Sequence, residues 1–356
     1  MGAGSVRGRL RARWLVSARY DLTFFVGSCV VTWLFLGLYH GLGSLGFEPK
    51  GESILVVYFL YTALFDHPHI FQTFSRTHGD PAERRRNRAL HTFGLVAFVA
   101  VGLYLNAIGW WREVIVFAAI YGSWHIVRQH WGLLNVYKKL NDDRARVDHW
   151  IDSAVFYLGM LAFLLHDYAG AAVDTPIWGA LTVRFPAIPE WVGEATFYAF
   201  LASAAVFVGR QLWRVARGEP LNVPKLLLLV AALGTHGLVF FFTATPFLIA
   251  EALETAYHNV QYQGWTMTYQ RRRFRSAKLV RRWLVAGLIY GLAVGSIELL
   301  GLTVGGAWSW VFVPFAMIVV YHYYVDGRIW RTREAPELKR AMLAEEPRLA
   351  AEPRSI

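Results

Sequence analysis

Apolar residues run through this chain in blocks close to 20 residues long, separated by short stretches rich in arginine and lysine. A block of that length crosses a hydrocarbon core of ~30 Å as one α-helix. The pattern predicts ten crossings, near residues 22–42, 53–75, 89–109, 113–137, 149–169, 191–213, 223–245, 247–268, 280–302 and 306–327. With the N-terminus in the cytoplasm, segments 1–20, 76–88, 138–148, 210–225, 271–282 and 328–356 are inner, and they hold 32 of the 36 basic residues. The outer loops keep only Lys50, Arg112 and Arg184, and Arg128 falls inside the fourth crossing. That asymmetry is the positive-inside signal.

The expected architecture is an all-α polytopic transmembrane bundle of about ten spans, both termini cytoplasmic. Its parts are a basic arm (1–20), a ten-span domain (21–330) and a charged tail (331–356) that frays or lies on the membrane surface. The arm carries five arginines and no small-residue cleavage site after a short apolar core, so it reads as retained, not as a signal peptide. A multi-pass protein of a bacterial inner membrane is the expected setting. Hydrophobic residues make up 55% of the chain, which exceeds the need of a soluble domain. The net charge of +11 sits where anionic headgroups would meet it, so membrane lipids, and not nucleic acid, are its expected partner. Cys29 is the single cysteine, which excludes disulfides and thiolate metal sites.

Candidate chemistry lies in polar residues placed at membrane depth. His67 and His69 fall on crossing two, His125 and His130 on four, His258 on eight and His322 on ten. All six sit between the midplane and the inner boundary in the assumed orientation. Acids accompany them at helical spacing: Asp66 with His69, Glu254 with His258, and Asp326 with His322. Glu251, Glu254, Thr255, His258 and Gln261 form a polar stripe that must face the bundle interior. A lone intramembrane histidine usually makes an interhelical hydrogen bond. Arg128 alone is available to neutralise one of three acids, so the clustering favours a metal or proton site. His67 and His69 would point about 200° apart on an unbroken helix, and Pro68 is expected to break it so that both turn inward. Imidazole with carboxylate suits iron, zinc, copper or manganese.

Of the remaining polar residues, His78 and His91 flank the inner loop after crossing two, and Arg128, Gln261 and Tyr262 are secondary candidates. Tyr257 and Tyr321 sit beside candidate ligands and are expected to line a pocket. The stretches "LFDHPH" and "YGSWHIVRQH", within a histidine-rich multispan chain, resemble the integral-membrane non-haem iron oxygenases, including membrane desaturases and hydroxylases, and the bacterial Brp/Blh carotene-cleaving enzymes. The desaturase boxes, His-x3-His and His-x2-His-His, are not present. The resemblance implies a non-haem iron centre held by these histidines. The leading expectation is therefore a membrane-bound metal-dependent oxidoreductase with a lipophilic substrate and a cytosolic electron donor. Its metal ligands would be His67, His69, His125, His130, His258 and His322, with Asp66, Glu254 and Asp326 as catalytic carboxylates. The alternatives are a proton- or ion-coupled transporter, a b-type haem protein and a zinc-dependent lipid hydrolase.

Overall fold

The computed structural model describes residues 10–46, 52–170, 174–178, 181–243, 245–304 and 308–343. Helices α1 (Ala18–Asp21) and α2 (Cys29–Ser44) are joined through a π-helical turn, Leu22–Val26; α3 (Glu52–Tyr61) runs through a second such turn, Thr62–Asp66, into α4 (His67–Thr77). After α5 (Pro81–Arg86), a third π turn at Leu90–Gly94 opens α6 (Leu95–Ala107). Then come α7 (Trp111–Leu140), α8 (Arg146–Gly170), α9 (Glu190–Ala216), and α10 (Val223–Gly237) with its π turn Leu238–Phe242. The chain closes with α11 (Phe247–Phe274), α12 (Ala277–Val304), α13 (Trp308–Ile329) and α14 (Pro336–Leu343). Two small strand pairs depart from a purely helical expectation. β1 (Leu10–Arg11) pairs in parallel with β4 (Leu221–Asn222), and β2 (Asp174–Trp178) forms a hairpin with β3 (Leu181–Arg184).

Six segments are long and apolar enough to cross a membrane: Ala18–Ser44, Leu90–Ala107, Arg146–Ala169, Glu190–Ala216, Val223–Phe242 and Ala277–Leu300. They make this an integral membrane protein of the helical class. The other four long segments, α3–α4, α7, α11 and α13, are those that carry the candidate histidines. Polar side chains lower their hydropathy, and the fold turns those side chains inward. Helix α11 runs through the middle and packs against α2, α4, α7, α12 and α14.

Segments assigned by charge to one side of the membrane do meet on one face. Arg273 reaches Asp80, Arg272 donates to the Leu15 carbonyl, the Arg13 amide donates to Asn141, and Arg86 binds Glu337. The described part of the tail therefore packs on the bundle and does not fray. Helix α14 buries Leu338, Ala341 and Met342 against the bundle, while residues 1–9 and 344–356 lie outside the described residues.

Two ionic clusters lock this face. Buried Arg76 contacts Asp80 (3.2 Å), Glu83 (3.1 Å) and Glu337 (3.5 Å). Lys225, also fully buried, lies 2.7 Å from Asp143 and 3.1 Å from Asp152, and Lys138 pairs with Asp152 as well. Burial pushes the Asp80 carboxyl up, but hydrogen bonds from Tyr269, the Ala82 amide and Arg273, with the Arg76 charge, carry it below the ordinary carboxylate range. Asp143 behaves alike: burial raises it, and the Lys225 charge and hydrogen bond more than reverse that.

Close approach between α12 and the α3–α4 segment rests on Gly287, Gly291 and Gly295, one helical face at four-residue spacing. A Cβ on Gly291 would lie 2.2 Å from the Ala63 carbonyl oxygen and 2.6 Å from Pro68 Cδ. The same contact explains Pro68. Its ring would clash with the residue-64 carbonyl of a regular helix, and the wide π turn ending at Asp66 relieves that clash.

Two outcomes follow. Gly291→Val should destabilise the purified protein by about 1–3 kcal/mol or more, because backbone has to move. Gly41→Ala, whose Cβ meets nothing within 4 Å among the described residues, should leave the melting temperature unchanged or higher. Depressed carboxyls contribute stability at pH values above their unfolded pKa of ~3.9 and lose it as the pH falls through their folded values. Melting temperatures in detergent should therefore hold from neutral pH to about pH 5 and fall steeply below pH 4, with Asp80→Asn and Asp143→Asn flattening that acid limb.

Candidate metal centre

Four imidazoles from four helices meet inside the bundle: His69 on α4, His125 on α7, His258 on α11 and His322 on α13. Ring centroids of the pairs 69–258, 69–322, 125–258 and 125–322 lie 5.2, 4.8, 4.8 and 5.0 Å apart, which closes them into one ring of four. None is more than 7% exposed. Three of the helices also supply the residue one turn later, Thr73, Tyr262 and Asp326, on the same face.

Those later residues fix the rings. Tyr262 donates to Asp326 Oδ1 (2.8 Å), so the Thr73 hydroxyl, 2.9 Å from the Tyr262 oxygen, donates to Tyr262. Thr73 is then an acceptor for His322 Nδ1–H at 2.6 Å. On His69, Nδ1 faces the Asp66 carboxylate at 3.5 Å, and Asp66 is itself held by the Tyr61 hydroxyl (3.2 Å) and the Asn259 amide (3.4 Å). His69 Nδ1 makes no hydrogen bond among the described residues, and the two Nε2 atoms face each other 3.1 Å apart, close enough for one to donate to the other. That spacing suits two nitrogens bound at ~2.1 Å to one ion.

His258 strengthens the case. Both of its ring nitrogens are buried without a hydrogen-bond partner among the described residues, as is His125 Nε2, which lies 3.9 Å from Asp326 Oδ2. Each unpartnered buried nitrogen costs about 1–3 kcal/mol. A single shared proton cannot satisfy this many. The donor atoms of His69, His258 and His322 fall within 4.8 Å of one another, and so do those of His125, His322 and Asp326. Donor set, spacing and unsatisfied lone pairs all fit a borderline divalent metal.

Other candidates go elsewhere. His67 points to the opposite side of its helix, with Nε2 2.8 Å from Glu298 Oε2 on α12. Residue 67 stays helical (φ −62°, ψ −38°), so Pro68 does not turn both imidazoles inward as expected. His130, five residues and about 140° beyond His125, donates from Nδ1 to the Ile126 carbonyl and packs on Tyr257. Glu254 does not join His258; it pairs with His236 on α10 at 3.3 Å. Arg128 is exposed, donates to the Tyr157 hydroxyl (2.7 Å) and neutralises none of the three acids. Gln261 and Tyr257 both donate to the Phe25 carbonyl, away from the centre.

His78 and His91 form part of the ionic network on the basic face, through the His91 carbonyl and Glu83. Tyr321 contacts His91 at 3.2 Å and so does not line the centre. Its neighbour Tyr323 does, stacked on His125 at 4.9 Å. Thr73, Tyr323 and Asn259 were absent from the sequence candidates. Only the four-residue spacing of His69 and Thr73 gave a signal for one of them.

Compared with protein-family models, curated proteins and solved structures, the chain matches none of them significantly.

Proposed function

We propose that this protein is a ten-span, inner-membrane metal-dependent oxidoreductase acting on a lipophilic substrate. The observation that carries this reading is the ring of His258, whose two buried nitrogens have no hydrogen-bond partner among the described residues, beside His69 Nε2 and His322 Nε2 at 3.1 Å from each other. His69, His125, His258 and His322 would hold the metal, with Asp326 at its edge. A redox-active ion such as iron would supply dioxygen activation there; copper or manganese share the ligand preference, and zinc would supply hydrolysis instead.

The chain's own residues do the rest. Thr73, 2.6 Å from His322 Nδ1, and Asp66, 3.5 Å from His69 Nδ1, would orient both rings toward the metal. Tyr262 keeps Asp326 hydrogen-bonded and is placed to pass a proton between that carboxylate and Thr73. The surrounding apolar helices exclude bulk water. An aromatic row, Tyr262 to Trp330 (6.0 Å) to Tyr269 (5.6 Å), leads from the centre to the Asp80 network on the basic face. It favours redox chemistry over hydrolysis and suits a cytosolic electron donor at that face. The rings are packed too closely, 4.8–5.2 Å between centroids, to admit a porphyrin between them, which argues for non-haem metal.

Ion- or proton-coupled transport is the second reading. It draws on the Tyr58–Glu298–His67 contacts (3.3 and 2.8 Å), which extend polar groups away from Asp66 toward the opposite face.

Elemental analysis of protein purified without chelator should find about one or two transition-metal ions per chain, the range this donor set can ligate. His258→Leu and His322→Ala should lose them and melt several degrees lower, while His130→Ala and His67→Gln keep them. Without a metal, His258→Leu removes two unsatisfied nitrogens and should raise the melting temperature. A metal-poor protein stabilised by that change would sink the proposal.

A further inference from the structure

An apolar groove of about 290 Å³ opens beside the histidine cluster. Its walls come from the Thr62–Asp66 turn and α4 (Leu64, Phe65, Pro68), from α11 (Asn259, Gln263, Met267), and from α12 (Leu284, Leu288). Leu64 and Leu288, both 42% exposed, stand at its mouth on the outer surface of the bundle. Pro68 and Asn259, which line it, are the sequence neighbours of His69 and His258.

Two residues of this lining are polar. Asn259 Oδ1 and Gln263 Oε1, one helical turn apart, are buried and have no hydrogen-bond partner among the described residues. Asn259 itself is fully buried, and its orientation is not arbitrary. Its amide nitrogen donates to Asp66 Oδ1 at 3.4 Å, and flipping the amide would set its oxygen against that carboxylate. The free carbonyl oxygen is therefore imposed by the site. A pair of buried acceptors calls for a donor. Carboxylates and phosphates, which bring only further negative oxygen, are repelled there, and an ammonium would have to shed its hydration in an apolar slot.

We propose that the groove is a lateral binding site for a neutral, hydroxyl-bearing lipophile, a long-chain alcohol taken directly from the bilayer. Its hydroxyl donates to Gln263 Oε1, one turn from Asn259 Oδ1, and its chain lies between α11 and α12. The volume is at the lower end for ligand sites, so the far part of the chain stays in lipid. This names the substrate class for the oxidoreductase proposed above and rests on that reading for the chemistry after binding, not for binding itself.

The test uses the full-length protein in nanodiscs and a diazirine-bearing hexadecanol as photoprobe. Labels should map to residues 64–68, 259–267 and 284–288. Unlabelled hexadecanol should compete at least about tenfold better than hexadecyl methyl ether, the factor expected for one hydrogen bond to a buried acceptor. Leu288→Trp, a change at an exposed position, should abolish labelling with metal content intact, and Gln263→Leu should erase the preference for alcohol over ether. Labelling spread over the lipid-facing surface, equal competition by the ether, or unchanged labelling of Leu288→Trp would each overturn the proposal. Chelator-treated protein should label equally well, which keeps failure of the groove distinguishable from failure of the metal centre.

Discussion

Every ring nitrogen placed away from water needs a partner, and that requirement shapes the interior of this protein. The four central imidazoles present eight nitrogens, and the fold supplies few of them with protein partners. Thr73 contacts His322 Nδ1 and the Nε2 atoms of His69 and His322 meet at 3.1 Å, while His69 Nδ1, His125 Nε2 and both nitrogens of His258 have no hydrogen-bond partner among the described residues. His236 shows the reverse, with Glu254 beside Nδ1 and the Met160 carbonyl beside Nε2. The contrast within one bundle separates a histidine that fills space from histidines arranged around a point.

Backbone packing sets where that point lies. Glycines 287, 291 and 295 let α12 press against the Thr62–Asp66 turn, and the turn carries Asp66 one step before α4 begins. Bulk at Gly291 would displace Ala63 and Pro68, and with them the segment that aims His69. The two histidines around Pro68 then separate by ordinary helical geometry. His69 goes inward to the centre and His67 goes to Glu298 on α12, because positions two apart point to opposite sides. Proline changed the turn before them without changing that relation.

Much of this was legible in the sequence, and its limits are physical. Apolar blocks and the alternation of charge located all ten long helical segments and brought residues 76–88, 138–148, 210–225 and 271–282 to one face. The place of each histidine along its helix was legible as well. Direction around the axis was not, since it depends on which helices are neighbours. His130 and Glu254 lie on the right helices at similar depth but turn toward Tyr257 and His236, whereas Thr73, with no charge to attract notice, turns toward His322. Of the acid–histidine pairs read from spacing, Asp66 with His69 (3.5 Å) and Asp326 with His322 (3.7 Å) lie together, whereas Glu254 turns away from His258 to His236.

The division of labour between helices follows from the same requirement. Polar groups facing lipid have nothing to bind, so the segments that carry them need apolar neighbours on their outer sides. Here α4, α7, α11 and α13 contribute the imidazoles, while more apolar segments, α12 against α4 and α6 against α13, cover them. The exception is the gap lined by Leu64, Pro68, Asn259, Gln263 and Leu288, where two carbonyl oxygens remain unanswered behind an apolar mouth. Buried atoms without a hydrogen-bond partner among the described residues also occur at Arg76, His130, Gln211 and Trp330. The convergence of four imidazoles from four helices, with the unpaired nitrogens of His258 and His125 among them, and not the number of histidines, is the physical ground for assigning chemistry there.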